Sequence, residues 1–137
     1  MNTSNKKIRI IILHSKPWCK EVFDFSHLVF PAENYELIHI RDRNEFKAIE
    51  DFKSSDYLLF VHWNWLVPED ITQNYKCICF HMTDLPYGRG GSPLQNLLIR
   101  GALSTKVSAI KMTQELDAGP VYLKRELTLS GSALDIY

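Results

Sequence analysis

Ile8-Arg9-Ile10-Ile11-Ile12-Leu13 is a mostly β-branched apolar run, broken by His14-Ser15-Lys16-Pro17. A run of this kind predicts a strand buried on both faces, which is the situation of strands in parallel sheets. Pro17 suits the first turn of a helix, and that helix is predicted to reach about Val29, before Pro31. Tyr35 to Ile40 reads as a second strand. Glu45 to Phe52 reads as a helix, with Phe46, Ile49 and Phe52 at helical spacing. Tyr57 to Val61 is a third strand and Cys77 to Phe80 belongs to a fourth. Strand, helix, strand, helix, strand is the pattern of a right-handed parallel α/β unit.

The second half continues differently. Pro93 to Arg100 reads as a helix that Gly101 can end in a left-handed conformation. Val107 to Met112 and Val121 to Leu127 are two strands joined by a short loop, which predicts an antiparallel pair. Gly131 to Tyr137 looks like a helix just begun after a Ser cap. The fold class is therefore α/β: a Rossmann-like, mainly parallel sheet flanked by helices, with an antiparallel strand pair near the C-terminus. Residues 1–137 are expected to form one domain, long enough for a real core.

Composition narrows the function classes. Sixteen basic and sixteen acidic side chains cancel, and no block of like charge reaches five residues. Neither a nucleic-acid arm nor a polybasic membrane patch is visible, so no nucleic-acid and no membrane partner is expected. Three cysteines at irregular spacing make no disulfide framework, which favours a reduced, cytoplasmic setting. No apolar stretch approaches the ~20 residues needed to span a bilayer.

The richest segment is Phe80-His81-Met82-Thr83-Asp84-Leu85-Pro86-Tyr87-Gly88-Arg89-Gly90-Gly91-Ser92-Pro93. An apolar strand delivers one histidine to its C-terminal end, where open α/β sheets place their chemistry. A loop with three glycines follows, able to bring bare N–H groups near a ligand. The segment resembles the HxSLLPxYRGxxP signature of the folate-dependent formyltransferases. It departs from that signature at Thr83, Asp84 and Gly88, while His81, Leu85, Pro86, Arg89, Gly90 and Pro93 match. About thirty residues later, Met112 to Val121 resembles the family's second signature, MxxxLDxGP followed by a branched apolar residue. The resemblance runs from the first strand to Leu127 and is strongest from Asp56 onward. The family's catalytic domain continues with further helix past the end of this chain, which implies a C-terminal truncation.

The resemblance implies formyl transfer from 10-formyltetrahydrofolate, as co-substrate, to a small-molecule amine acceptor. Such a reaction must stabilise a tetrahedral oxyanion and remove a proton from the attacking nitrogen. His81 suits the first task, because a ring N–H can donate to the oxyanion. Asp117 suits the second, directly or through a water, and can also hold the imidazole in its useful tautomer. By resemblance both fall on catalytic positions of the family. The third such position is Asn in the family and Cys79 here. A thiol is a weak donor, and losing one oxyanion donor typically costs ~2.7–4 kcal/mol of transition-state stabilisation. Gln95, Asn96 and Asn64 are candidate substitutes.

Cys77, Cys79 and His81 alternate along one strand and so share a face. Positions two apart on a strand are ~6.6 Å apart and the outer pair ~13 Å, whereas zinc holds its ligand atoms at ~2.0–2.3 Å. One extended strand cannot bring all three to one ion, and no metal is expected. His62 to Pro68 resembles the family loop that wraps the pterin. That resemblance makes Trp63, Asn64, Trp65 and Leu66 the candidate folate-binding residues, with the apolar side chains as pocket walls.

Lys16 and Arg89 are the candidate contacts to an acidic acceptor. The turn after the first strand has no glycine, unlike the phosphate-binding turn of the purine-pathway members, which disfavours a ribonucleotide acceptor. The tRNA-modifying members carry an extra RNA-binding domain for which this chain has no room. Elimination leaves the branch that formylates nucleotide-linked amino sugars for surface polysaccharides. A formyltetrahydrofolate hydrolase and a catalytically silent folate-binding module are the alternatives.

Overall fold

The computed structural model describes residues 5–48 and 52–136. Its six-stranded sheet has the order β2-β1-β3-β4-β5-β6, and the chain divides into two compact units, Met1–Ile78 and Cys79–Tyr137.

In the first unit, β1 (Ile8–His14) lies between β2 (Tyr35–Ile40) and β3 (Tyr57–Val61) and is parallel to both. Ile10, Ile11, Ile12 and Leu13 are at most 4% exposed, so β1 is covered on both faces, as its unbroken apolar run predicts. Burying each such side chain contributes roughly 1.5–3 kcal/mol. Asp56 ties the N-terminal end of the pair. Its carboxylate accepts the Arg9 N–H and its own N–H goes to the Arg9 carbonyl, both at 2.8 Å.

The first crossover opens with a 3-10 turn over Pro17–Cys19 and continues as α1 (Lys20–Val29). In this stretch Trp18, Val22, Phe25 and Val29 recur at helical spacing, yet all are exposed. The second crossover helix, α2, covers Arg43–Ala48. It starts earlier than its apolar spacing suggests, because Asp42 caps it: its carboxylate accepts the N–H groups of Asn44 and Glu45. Ile49 lies outside the described residues. Phe52 follows the helix in a turn but is buried, packed with Phe46 and Tyr75. A short polar helix, α3 (Glu69–Asn74), precedes β4 (Cys77–His81).

In the second unit, α4 (Pro93–Ile99) ends as the sequence suggests. Gly101 is left-handed at φ +74°. Its N–H bonds to the Leu98 carbonyl, and the Ala102 N–H to the Leu97 carbonyl, which is the Schellman pattern. β5 (Ser104–Lys111) and β6 (Val121–Thr128) form the antiparallel pair, with a register shift at Ala109 and Ile110. Met82, Leu94, Leu97, Leu129 and Ile136 make the apolar core of this unit. The last helix, α5 (Ala133–Ile136), is capped reciprocally. Ser132 donates its N–H to the Asp135 carboxylate at 2.7 Å, and the Asp135 N–H returns to Ser132 Oγ at 3.3 Å. No helix among the described residues is long and apolar enough to cross a membrane.

Candidate active site

The second unit brings His81 and Asp117 together. His81 ends β4 and is 7% exposed. Asp117 sits in the loop between β5 and β6 with φ +52°, a conformation that Asp and Asn adopt more readily than most residues. Its Oδ2 lies 3.6 Å from His81 Nδ1 and accepts the Gly90 N–H at 2.9 Å. One carboxylate thus joins the two sequence motifs.

The other ring nitrogen is engaged as well. His81 Nε2 lies 2.7 Å from the Gly88 carbonyl. A carbonyl can only accept, so Nε2 carries the proton and donates. Nδ1 faces the Asp117 carboxylate, a second acceptor, at 3.6 Å. The ring N–H that suits an oxyanion is therefore held by the loop in this arrangement, a contact that the sequence does not reveal.

All three departures from the signature act in this loop. Thr83 is 1% exposed. Its hydroxyl donates to the Tyr87 carbonyl at 2.6 Å and lies 3.4 Å from the Gly88 carbonyl. Gly88 is left-handed at φ +71°, and a Cβ there would lie 2.7 Å from Thr83 Cγ2. Asp84 is exposed and accepts from Lys124 Nζ at 2.5 Å, while the same ammonium reaches the Leu85 carbonyl at 2.6 Å. Lys106 Nζ lies 3.7 Å from Asp84. The hydrogen bond from Lys124, and then the Lys106 charge, hold the Asp84 carboxyl below its usual range. The peptide bond between Leu85 and Pro86 is cis.

Cys79 is half-buried, and its thiol is pushed up to about 11, first by burial and then by the Asp117 charge. A thiol in that state is neither a nucleophile nor a strong donor. Of the amides considered as substitutes, Asn96 is exposed and directs its Nδ2 toward the Gly91 carbonyl at 3.4 Å, and Gln95 and Asn64 are exposed. Arg89 is exposed and pairs with Glu115 at 3.3 Å. A small cavity near the loop is lined by Thr83, Gly88, Arg89, Asn96 and Arg100, among others.

Lys16 and the 63–66 loop belong to the first unit. Lys16 Nζ lies 5.7 Å from the centroid of the Trp18 ring. Trp63 is packed among Phe46, Phe60 and Trp65, with ring centroids 5.4, 5.9 and 4.8 Å away, so much of it is core. Its indole Nε1–H is buried without a hydrogen-bond partner among the described residues. Asn64 is exposed and Leu66 is 96% exposed. A heteroaromatic ring with edge acceptors fits such a loop: an unused donor, a free amide and an apolar side chain that nothing in the unit covers. His62, just before the loop, is left-handed at φ +49°, and its carbonyl accepts from the Ser15 hydroxyl. Among the described residues no three His, Cys, Asp or Glu side chains gather as a metal site would require.

No protein-family model matches the chain. It is 27% identical over 144 residues to the methionyl-tRNA formyltransferase of Sulfurimonas denitrificans, an alignment covering 98% of this chain and 46% of that protein. The solved methionyl-tRNA formyltransferase from Clostridium thermocellum superposes with a TM-score of 0.84 at 40% identity, over 94% of this chain and 57% of that one. The formyltransferase PseJ from Anoxybacillus kamchatkensis, solved with a formamido sugar nucleotide and tetrahydrofolate, shares the fold. It superposes with a TM-score of 0.67 at 20% identity, over 89% of this chain and 61% of that one. The chain spans about half the length of the methionyl-tRNA formyltransferases it matches. With both motifs in order and the same sheet, these likenesses support the formyltransferase family for this chain.

Proposed function

We propose that the chain carries the catalytic centre for moving a formyl group from 10-formyltetrahydrofolate to a primary amine. The observation that supports this reading most directly is the buried His81–Asp117 pair, 3.6 Å apart, at the junction of the two family motifs. Attack by the amine puts negative charge on the formyl oxygen and positive charge on the nitrogen. Asp117 is the base for the nitrogen proton, directly or through a water. His81 serves the oxygen once its Nε2–H leaves the Gly88 carbonyl. Collapse of the intermediate expels tetrahydrofolate, whose nitrogen takes up a proton. The 63–66 loop is the folate-binding element in this reading, with the Trp63 N–H, Asn64 and Leu66 as its contacts.

The acceptor follows from the relatives more than from the residues. The 40% identical solved relative is named for methionyl-tRNA, which favours the amine of an aminoacyl-tRNA. Elimination on chain length pointed to an amino sugar, but a chain spanning half of its relatives gives that elimination no force. The amino-sugar reading keeps one support of its own: charges that balance at sixteen each, with no basic run to track a nucleic-acid backbone.

The test supplies 10-formyltetrahydrofolate with no acceptor, with methionyl-tRNA, and with nucleotide-linked amino sugars. Formylated product with either acceptor supports transfer and names the acceptor. Formate released equally in every arm marks a hydrolase, and folate binding without turnover marks a silent module.

A further inference from the structure

We propose that Thr83 is a positioning residue for His81, acting through the Gly88 carbonyl. Thr83 has three attachments. Its hydroxyl donates to the Tyr87 carbonyl at 2.6 Å and lies 3.4 Å from the Gly88 carbonyl. Its own carbonyl accepts from the Ser108 hydroxyl on β5 at 2.7 Å, and Ser108 is fully buried. Its methyl group fills the space that a side chain at position 88 would need, at 2.7 Å from the Cβ position. Residue 88 is consequently glycine, free to take φ +71° and to turn its carbonyl to His81 Nε2 at 2.7 Å.

The consequence for His81 is chemical. Gly88 O fixes the proton on Nε2 and fixes the ring plane, and it leaves Nδ1 facing Asp117. Thr83 decides where that carbonyl sits. Without the hydroxyl, the Tyr87 carbonyl loses its donor, the loop relaxes, and His81 loses its single tautomer. The departures at Thr83 and Gly88 are therefore one coupled change, with the threonine methyl and the missing Cβ occupying the same volume.

The tautomer is independent of what the chain catalyses, whereas the catalytic consequence rests on the formyl-transfer reading above. The experiment therefore measures both in the full chain. Long-range proton–nitrogen correlation spectra of histidine-labelled protein report which His81 nitrogen carries the proton. The parent and Thr83→Ser are expected to show the Nε2–H form. Thr83→Val, which keeps the shape and removes the hydroxyl, is expected to lose that single form. Its turnover falls about tenfold to a hundredfold with folate KM unchanged, as for a misplaced group, and Thr83→Ser restores it. A folded Thr83→Val with parental ring signals and pH–rate profile would overturn the proposal.

A second pair of variants covers the case in which Thr83→Val does not fold. Gly88→Ala is expected to lower the melting temperature sharply, and Thr83→Ser/Gly88→Ala to recover part of the loss. No recovery would overturn the coupling. Ring signals behaving as expected in a chain that transfers no formyl group would uphold the positioning role and refute the transfer reading alone.

Discussion

Asp117 holds its carboxylate 3.6 Å from His81 Nδ1 from a left-handed backbone at φ +52°. The loop can afford that conformation because the same carboxylate accepts the Gly90 N–H at 2.9 Å. The two tasks of the side chain can be separated. Asn tolerates the left-handed region and its amide oxygen can accept from Gly90, but it cannot take a proton from an amine. Asp117→Asn is expected to keep its melting temperature within about 2 °C, a shift worth less than about 1 kcal/mol. Its turnover is expected to fall about 10²–10⁴-fold, the usual worth of a general base, with folate affinity near the parent's. His81→Ala is expected to show the same split between rate and binding. Calorimetry for folate and initial rates with an amine acceptor check both variants.

Cys79 supplies an independent check. With its thiol at about 11, about one group in a thousand is ionised at pH 8. Alkylation of Cys79 by iodoacetamide is expected to be far slower than that of an exposed small-molecule thiol. Cys79→Asn, which places the family's amide there, is expected to raise turnover by part of the ~2.7–4 kcal/mol such a donor supplies. The ratio of variant to parent rates, with stability measured alongside, decides it. A stable variant with an unchanged rate means that another group already serves the oxyanion.

The strands were legible because burial leaves a composition signature. β2 and β3 span the residues that their apolar runs indicate, Tyr35–Ile40 and Tyr57–Val61. The start of β5 was not legible. Ser104, Thr105 and Lys106 precede the strand read from Val107, yet pairing with Thr128, Leu127 and Glu126 makes them strand. α3 escaped notice because Glu69–Asn74 is short and mostly exposed, with little apolar periodicity to read. The motifs located His81 and Asp117, since side-chain chemistry is written in residue types. The Gly88 carbonyl was invisible, because every residue has a backbone carbonyl and only the fold selects one. Trp63 was read as a pocket wall, but a sequence cannot divide an indole between core packing and an unused N–H.

Gly119 explains why the second motif ends in Gly-Pro. A Cβ at Gly119 would lie 1.7 Å from the Lys111 carbonyl oxygen. The neighbouring bond from Lys111 N–H to the Pro120 carbonyl, at 2.9 Å, clamps the two chains there. The obstacle is backbone and cannot rotate away. Gly119→Ala is expected to destabilise by about 3 kcal/mol, the upper part of the ordinary range for point changes. That corresponds to a melting temperature lower by about 10 °C. Gly91→Ala is the control, because its Cβ would meet open space. Equal melting temperatures for the two variants would contradict the clamp.

His14 and His39 predict a loss of stability in mild acid. Their Nε2 atoms lie 2.5 Å apart, and His39 stacks on Phe23 with ring centroids at 4.1 Å. One ring must donate to the other, so the contact requires at least one neutral imidazole. Burial lowers both values first of all, and for His39 the neighbouring His14 and Arg41 lower it further. Glu45 opposes the shift at both rings and Asp24 opposes it at His39. A folded-state value below the unfolded one, about 6.5, means that the unfolded chain binds more protons in the window between them. Stability therefore rises with pH in that window. The contribution is complete above about pH 6.5 and is lost as the pH falls below it. Urea midpoints are expected to drop between pH 7.5 and pH 5.5, and a His39→Phe variant to show a shallower drop. Midpoints that stay level from pH 7.5 to 5.5 in the parent would mean that the pair accepts a second proton without opening.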